Sequence, residues 1–232
     1  MESAWWLRST THRSAQQRGL GMDSRIERSR QLYERMAFDG DGSGLPIAER
    51  ELDGVEADLA LARGRLAHGR FLRDGQEDPQ ELAFFARAAE LYEALDDSRG
   101  AAEALLWIGI FHQFIRDDDD AAMPALHRSR ELAEQAGDRL GLSYALRHLG
   151  IAEHRAGRLD TAREHLEEST RLRREVDFLP GVAANLVGLS YIAAAQGRRD
   201  DAMTAAAEAG RIAGSTGALA IARQAEEALI RI

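Results

Sequence analysis

The chain repeats itself about every 40 residues, and this period constrains its fold more than any other feature of the sequence. The segment that begins at Gly100 aligns with the segments that begin at Gly141 and Gly181, and each copy holds two amphipathic helical stretches. Repeats of this length are typical of solenoids, in which each unit buries its apolar face only by stacking on its neighbours. The sequence therefore predicts an all-α, right-handed superhelical solenoid of antiparallel helix pairs.

Each copy closes its first helix with a short polar turn and opens the second with acidic residues, as in Asp117–Asp120 and at Asp160. Acidic side chains at a helix N-terminus accept hydrogen bonds from free backbone N–H groups and complement the helix dipole. The copy that begins at Gly100 carries one extra residue, which we assign to the aspartate run. The turns therefore predict where one helix of each pair ends and the next begins.

The best-preserved copy has Leu146, Leu149 and Gly150 in its first helix, followed by Ala162 and Leu166 in the second. This pattern resembles the tetratricopeptide repeat, in a long-period form similar to the repeat regions of bacterial transcriptional regulators. The resemblance covers roughly residues 50 to 232 and implies a fold more firmly than a function. It implies repeats at about 58–95, 99–136, 140–176 and 180–214, closed by a C-terminal capping helix at 218–232.

Residues 1–21 differ in composition from the repeats, being rich in Ser, Thr, Arg and Gln, and they lack the apolar core of a secretory signal. We predict a disordered extension there. Two alternatives remain open: Met22 is the natural start, or Trp5 and Trp6 act as aromatic anchors that dock into a groove. Residues 22–50 are predicted to form an N-terminal helix and a Gly-rich linker, and residues 51–232 the solenoid.

Within that linker, Asp39–Gly44 resembles the opening of a calcium-binding loop, with oxygen-bearing side chains at alternate positions. Pro46 then interrupts the pattern, and Arg50 stands where the bidentate glutamate should be. We interpret the stretch as a flexible linker between helices, with a calcium site as the less favoured alternative. The sequence predicts no metal site and no cofactor.

Composition excludes several chemistries. The chain has no cysteine and no lysine, which removes disulfides, thiol nucleophiles, Walker-type phosphate loops and lysine Schiff bases. A net charge of -9 argues against nonspecific binding to nucleic acid, and no apolar run approaches the length of a membrane span. We therefore predict a cytoplasmic protein with no direct nucleic-acid or membrane partner.

Gly109 and Gly150 fall in the middle of predicted helices, where glycine costs about 1 kcal/mol relative to alanine. Something must offset this cost. We predict that the paired helix approaches closely at both positions.

The family resemblance also implies a concave wall lined by side chains of the first helices. Some family members bind a peptide carboxylate with cationic side chains at this wall, so a similar clamp is one hypothesis. The alternative is a solvated face of arginines that pair with neighbouring acids. The candidate groove residues are Trp107, Tyr144, Arg147, His148, His154, Arg155 and Tyr191.

The sequence favours a non-catalytic adaptor or regulator that binds a peptide, a protein segment or an anionic small ligand, with a protein or peptide as its main partner. The competing hypothesis is a small-molecule-binding protein or enzyme with a pocket around His112 and His148, although His112 more simply fills an aromatic core position. A homodimer formed through the apolar helix Ala218–Ile232 is a third alternative.

Overall fold

The computed structural model describes residues 22–232, in which ten α-helices follow one another without a strand. The predicted all-α class is thereby confirmed, and the predictions for residues 1–21 lie outside the described residues. The helices are α1 (Ser24–Asp39), α2 (Leu45–Asp74), α3 (Glu81–Ala94), α4 (Ser98–Phe114), α5 (Asp119–Gln135), α6 (Arg139–Arg155), α7 (Leu159–Glu175), α8 (Leu179–Ala195), α9 (Arg199–Thr216) and α10 (Leu219–Arg231).

The chain divides into two compact units, one ending at Val55 and the other comprising Glu56–Ile232. In the first unit, the Asp23 side chain caps α1 by accepting a hydrogen bond from the backbone N–H of Arg25 at 2.8 Å. Leu32 is buried over Gly44, where an added Cβ would lie 2.5 Å from Leu32 Cδ2. Helix α2 runs from residue 45 to residue 74. It therefore continues without a break through residue 50, where we predicted that the linker ends and the solenoid begins.

In the second unit, α4 packs on α5, α6 on α7, and α8 on α9. The first helices of successive pairs also contact one another, α4 with α6, α6 with α8 and α8 with α10. The second helices α5, α7 and α9, all within the described range, make no comparable contacts with each other. The stack is therefore closer along the first helices, and these form its inner side, as expected for a helical solenoid.

The acidic pattern predicts where each second helix begins, but of α5, α7 and α9 only α5 has a side-chain cap, since α7 and α9 follow Arg158 and Arg198 without one. Asp118 caps α5 by accepting a hydrogen bond from Ala121 N at 2.9 Å. Gly157 and Gly197 occupy the left-handed region with φ of 76°, and Asp117 takes the same conformation with φ of 52°. The connection 115–118 holds one residue more than the connection 156–158, so the extra residue lies where the aspartate run begins.

Close approach at the mid-helix glycines is confirmed. A Cβ at Gly109 would overlap Cδ2 of Leu126 on α5, and a Cβ at Gly150 would lie 3.1 Å from Cγ of Leu166 on α7. Both leucines are almost completely buried. The missing side chain lets each pair close around its leucine, which offsets the conformational cost of glycine.

The stack continues to the last helix, where Ala225 of α10 packs into a core cluster with Val182, Leu186 and Ile212. The opposite face of α10 is open, since Leu219 is 71% and Ile230 is 85% exposed. Among the described helices, none combines the length and the apolar composition needed to cross a membrane.

Candidate functional site

An apolar groove of about 390 Å³ lies where α2, α4 and α6 meet. Leu106, Ile110 and Phe114 stand about one turn apart along α4, and Tyr144 and His148 are spaced likewise on α6, so each helix presents one face to the groove. The lining residues are His68, Leu72, Glu103, Leu106, Trp107, Ile110, Phe114, Tyr144 and His148.

Aromatic packing holds the groove in shape. The indole of Trp107 stacks on Phe85 with ring centroids 5.5 Å apart and an interplanar angle of 10°. The ring of His68 meets the same indole edge-on at 5.3 Å. Phe114 is 43% and Leu72 is 72% exposed at the groove, so apolar surface faces solvent there. A preformed wall of this kind loses little conformational entropy when a ligand binds.

His148 is held by Gln113. The Gln113 Nε2 group donates to Asp119 Oδ1 at 3.0 Å and to the His148 carbonyl at 3.1 Å, so Gln113 Oε1 is left to accept the hydrogen bond from His148 Nδ1 at 2.8 Å. Burial, together with the nearby charges of Arg147 and Arg173, holds the pKa of His148 well below its ordinary value. The imidazole is therefore neutral, with its proton on Nδ1, and its Nε2 is a hydrogen-bond acceptor.

A second histidine of the groove is oriented by a buried acid. His68 Nδ1 lies 3.0 Å from Oε1 of Glu81, whose side chain is completely buried and whose Oε2 has no partner among the described residues. Burial raises the pKa of Glu81, and the hydrogen bond from His68 opposes that rise. The pair fixes the ring of His68 at the groove.

Three of the residues predicted for the groove do line it: Trp107, Tyr144 and His148. Arg155 lies beside it, with its guanidinium 5.4 Å from the centre of the Phe114 ring and within 3.5 Å of carboxylates of Asp117 and Asp119.

The other three predicted residues lie elsewhere. Tyr191 packs on the core cluster shared by α8, α9 and α10. His154 is half-buried, and burial lowers its pKa. Arg147 reaches toward α8, where its Nη1 donates to the Ala184 carbonyl and to Asn185 Oδ1, both at 2.9 Å.

The predicted pairing of His112 with His148 is corrected by the structure, which places His68 at the groove with His148 instead. His112 is half-buried and rests edge-on against Phe111 at 5.6 Å. Phe111, with 1% exposure, fills the aromatic core position that we expected His112 to take. Phe111 and His112 are neighbours in the sequence, and the more apolar of the two, Phe111, is the one that is buried.

Sequence reasoning missed His68, Glu81 and Asn185. The weak first repeat carried a usable signal, because Ala67 aligns with Trp107 and places His68 on the same helical stretch. No spacing rule pointed to Glu81, which follows a connection without a counterpart in the later repeats. Asn185 is the only asparagine of the chain, but nothing in the sequence marked it as buried.

A larger cleft of about 490 Å³ lies beside the turn between α3 and α4. Its lining is mainly polar and includes Glu93, Asp96, Asp97, Arg128 and Gln135. Since apolar contact supplies most binding free energy, we take the groove of α2, α4 and α6 as the candidate site. Among residues 22–232, no cluster of three or more His, Asp or Glu side chains is placed to hold a metal ion.

Comparison with known proteins bears on the repeats. The tetratricopeptide repeat model matches residues 100–175, which span α4 to α7. Over 130 residues, 56% of this chain, the sequence is 31% identical to proteins named as HTH-type transcriptional regulators from Mycobacterium bovis and from two strains of Mycobacterium tuberculosis. The matched stretch makes up 14% of the length of each of these relatives.

Proposed function

We propose that this chain, in which residues 100–175 match the tetratricopeptide repeat model, is a non-catalytic adaptor or regulatory protein that binds a segment of a partner protein in the groove of α2, α4 and α6. The observation that carries the proposal is the preformed aromatic groove itself. Trp107 is fixed by Phe85 at its floor, while Phe114 and Leu72 leave apolar surface exposed at its edge.

The lining predicts the chemistry of the bound segment. A volume of about 390 Å³ suits one or two large apolar side chains, and Trp and Tyr are the residues that dominate binding at many interfaces. Neutral His148 adds an acceptor for one hydrogen-bond donor of the ligand. We therefore expect an aromatic or aliphatic anchor residue that carries or neighbours a donor group.

The cationic side chains divide into two kinds. Arg155 already has two acidic neighbours, Asp117 and Asp119, so it has little charge to offer an acidic ligand. Arg147 has no such neighbour among the described residues and is the better candidate for carboxylate recognition. His154 and Tyr191 would contact only a ligand that extends along α6 and α8.

The regulatory part of the proposal rests on the relatives that are named as transcriptional regulators. Because the match covers 14% of their length, the proposal takes from these relatives only a link to regulation and no other activity. In this proposal, binding of the partner segment in the groove is the regulatory event.

Site-specific photo-crosslinking tests the groove. A photoreactive phenylalanine analogue at position 114 should crosslink a partner in cells that express the protein, and Trp107→Ala should reduce the yield at least tenfold. The matched control places the same analogue at Phe38, an aromatic of α1 that is 79% exposed. Equal crosslinking at the two positions, or a yield that survives Trp107→Ala, would contradict groove binding.

A small-molecule pocket, with or without catalysis, is the second candidate, and the contact of His68 with Glu81 favours it. A carboxylate that orients a histidine toward a cavity is a common arrangement for proton transfer. Native mass spectrometry of the purified protein tests it, since a co-purified small molecule would be lost in His68→Gln. Unliganded protein that still crosslinks a partner through position 114 would favour the adaptor.

Self-association through α10 is a separate proposal about partners, motivated by the exposure of Leu219 and Ile230. Replacing both residues with glutamate should shift a concentration-dependent dimer to monomer in sedimentation velocity. A wild-type protein that stays monomeric at high micromolar concentration would exclude it.

A further inference from the structure

Two guanidinium groups converge on one neutral oxygen atom next to the groove. Arg147 of α6 and Arg173 of α7 each donate through Nη1 to Oδ1 of Asn185 on α8, and both distances are 2.9 Å. In the part of the chain that the structure describes, no carboxylate lies within 4.0 Å of either group. The chain has 39 acidic and 30 basic residues, so carboxylates are not scarce. Among the described residues, the guanidinium groups of Arg147 and Arg173 nevertheless have no carboxylate partner.

The surroundings of Arg173 are polar but uncharged. Its side chain is 1% exposed, its Nε donates to Ser143 Oγ at 3.2 Å, and its Nη1 also donates to the Gly181 carbonyl at 2.8 Å. The guanidinium carbon lies 4.7 Å from the centre of the Tyr144 ring, which lines the groove on its other side. Its Nη2 is buried and has no hydrogen-bond partner among the described residues. These contacts solvate the charge without neutralising it.

The energetics agree with the geometry. Burial lowers the pKa of Arg147 to about 10, and burial together with the charge of Arg147 lowers the pKa of Arg173 to about 10. Both groups are still protonated at neutral pH. Two partly desolvated like charges repel each other, and a negative group between them would remove the penalty.

Arg147 provides access to this site. Its side chain is half-buried, and only its Nη1 has partners among the described residues, which leaves Nε and Nη2 for an external group. The planar fork of a guanidinium matches two oxygens of a carboxylate or a phosphate. Asn185 sets the spacing of the two arginines, and its Nδ2 is in turn fixed by Ser169 Oγ at 2.8 Å.

We infer that Arg147, Arg173 and Asn185 form an oxyanion-binding site that takes the phosphate or carboxylate group of a small ligand. Nε and Nη2 of Arg147 receive the anion, while the buried charge of Arg173 strengthens its binding. The inference does not depend on the proposed adaptor function, because the site can be titrated in the absence of any partner protein.

Isothermal titration calorimetry of the purified full chain with inorganic phosphate tests the site, at low ionic strength and with chloride matched throughout. Succinate and acetate titrations form the second arm and show whether phosphate or carboxylate is preferred. Wild type should give saturable binding, and Arg147→Gln should weaken it at least tenfold. The control is Arg211→Gln, which removes the same charge from an exposed arginine of α9 and should leave the affinity unchanged.

Asn185→Asp places a carboxylate where the two guanidinium groups already meet. This variant should have a higher melting temperature than wild type in chloride and should no longer bind the oxyanion. Retained binding in Arg147→Gln would overturn the inference. Melting temperatures measured at increasing phosphate concentration provide a second check. A rise that does not saturate and that all variants share would also overturn the inference, because phosphate stabilises proteins in general through its exclusion from their surfaces. If Asn185→Asp does not fold, the comparison of wild type with Arg147→Gln still decides.

Discussion

Gln113 of α4 holds His148 of α6 at two points, accepting from Nδ1 of the ring at 2.8 Å and donating to the backbone carbonyl at 3.1 Å. Both side chains are buried. The pairing joins the first helices of successive repeats, and it also fixes the tautomer that the groove presents. A proton added to His148 would have to enter a site that already adjoins two arginines.

We predict that stability falls on acidification partly through His148. Its folded pKa is depressed, so below the ordinary histidine value of about 6.5 the unfolded chain takes up a proton that the folded chain excludes. Each such group lowers the free energy of unfolding by up to about 1.4 kcal/mol per pH unit below that value. Burial lowers the pKa of His154 and of His165 as well. Replacing His148 alone should therefore remove only part of the stability loss on acidification.

The measurement is urea unfolding between pH 7.5 and 5 for wild type and His148→Gln. The variant should show a shallower loss of stability with falling pH. His127→Gln, which replaces an exposed histidine of α5, is the control, and the loss of stability should be shallower in His148→Gln than in this variant. Identical slopes for wild type and His148→Gln would mean that the ring is not held neutral.

Two glycines of similar sequence context should respond oppositely to alanine. Gly69 lies within α2 and a Cβ there meets nothing within 4 Å, so Gly69→Ala should stabilise by up to about 1 kcal/mol through helix propensity. Gly109 lies within α4, and a Cβ there would overlap Leu126, so Gly109→Ala should destabilise by about 1–3 kcal/mol. Thermal unfolding of both variants checks the signs, and stabilisation by Gly109→Ala would show that the pair can relax without cost.

How far the sequence predicts this structure depends on whether a feature repeats. The bounds of α4 to α9 follow from the period because each copy carries the same apolar positions and the same turn. The glycine contacts follow for the same reason, since they occur twice at equivalent sites. Features that occur once were harder to predict. The contact of His68 with Glu81 spans a connection that no other repeat has, and which of the neighbours Phe111 and His112 is buried depends on packing between helices.

The same contrast applies to the cationic residues. Arg147 and Arg155 occupy similar predicted positions on the wall. Arg147 donates to the side-chain amide of Asn185, whereas Arg155 pairs with the carboxylates of Asp117 and Asp119. The difference comes from α8 and from the turn before α5, which approach α6 from opposite sides. A one-dimensional pattern specifies the helix face of an arginine but not the atoms that face it.

Two serines at equivalent places of successive repeats should differ in their cost of removal. Ser129 Oγ donates to the Ala102 carbonyl at 2.7 Å, and Ser169 Oγ donates to the Ser143 carbonyl at 2.5 Å. Ser129→Ala loses one buried hydrogen bond and should cost about 1 kcal/mol. Ser169→Ala also leaves the buried Nδ2 of Asn185 without its acceptor, and should cost about 2–3 kcal/mol.

Chemical denaturation of the two serine variants provides the comparison, because both residues are buried and both substitutions delete one hydroxyl. The larger loss in Ser169→Ala is expected to shrink when Asn185 is replaced with leucine in the same chain, since the unpaired amide is then absent. Equal losses for the two serines would indicate that the amide of Asn185 finds water or another acceptor.

Trp107 offers a direct optical report on the groove. The chain has three tryptophans, and the double variant Trp5→Phe, Trp6→Phe leaves Trp107 as the single indole. The ring of His68 meets this indole edge-on at 5.3 Å. Removing this ring lets water reach the indole, so His68→Ala in the double variant should shift the emission maximum of Trp107 to longer wavelength. His148→Ala in the same background is the control and should shift the maximum less, because its ring makes no such contact with the indole among the described ring pairs. Circular dichroism of each variant establishes that the helices persist, and an unchanged emission maximum in His68→Ala would show that the imidazole does not face Trp107 in solution.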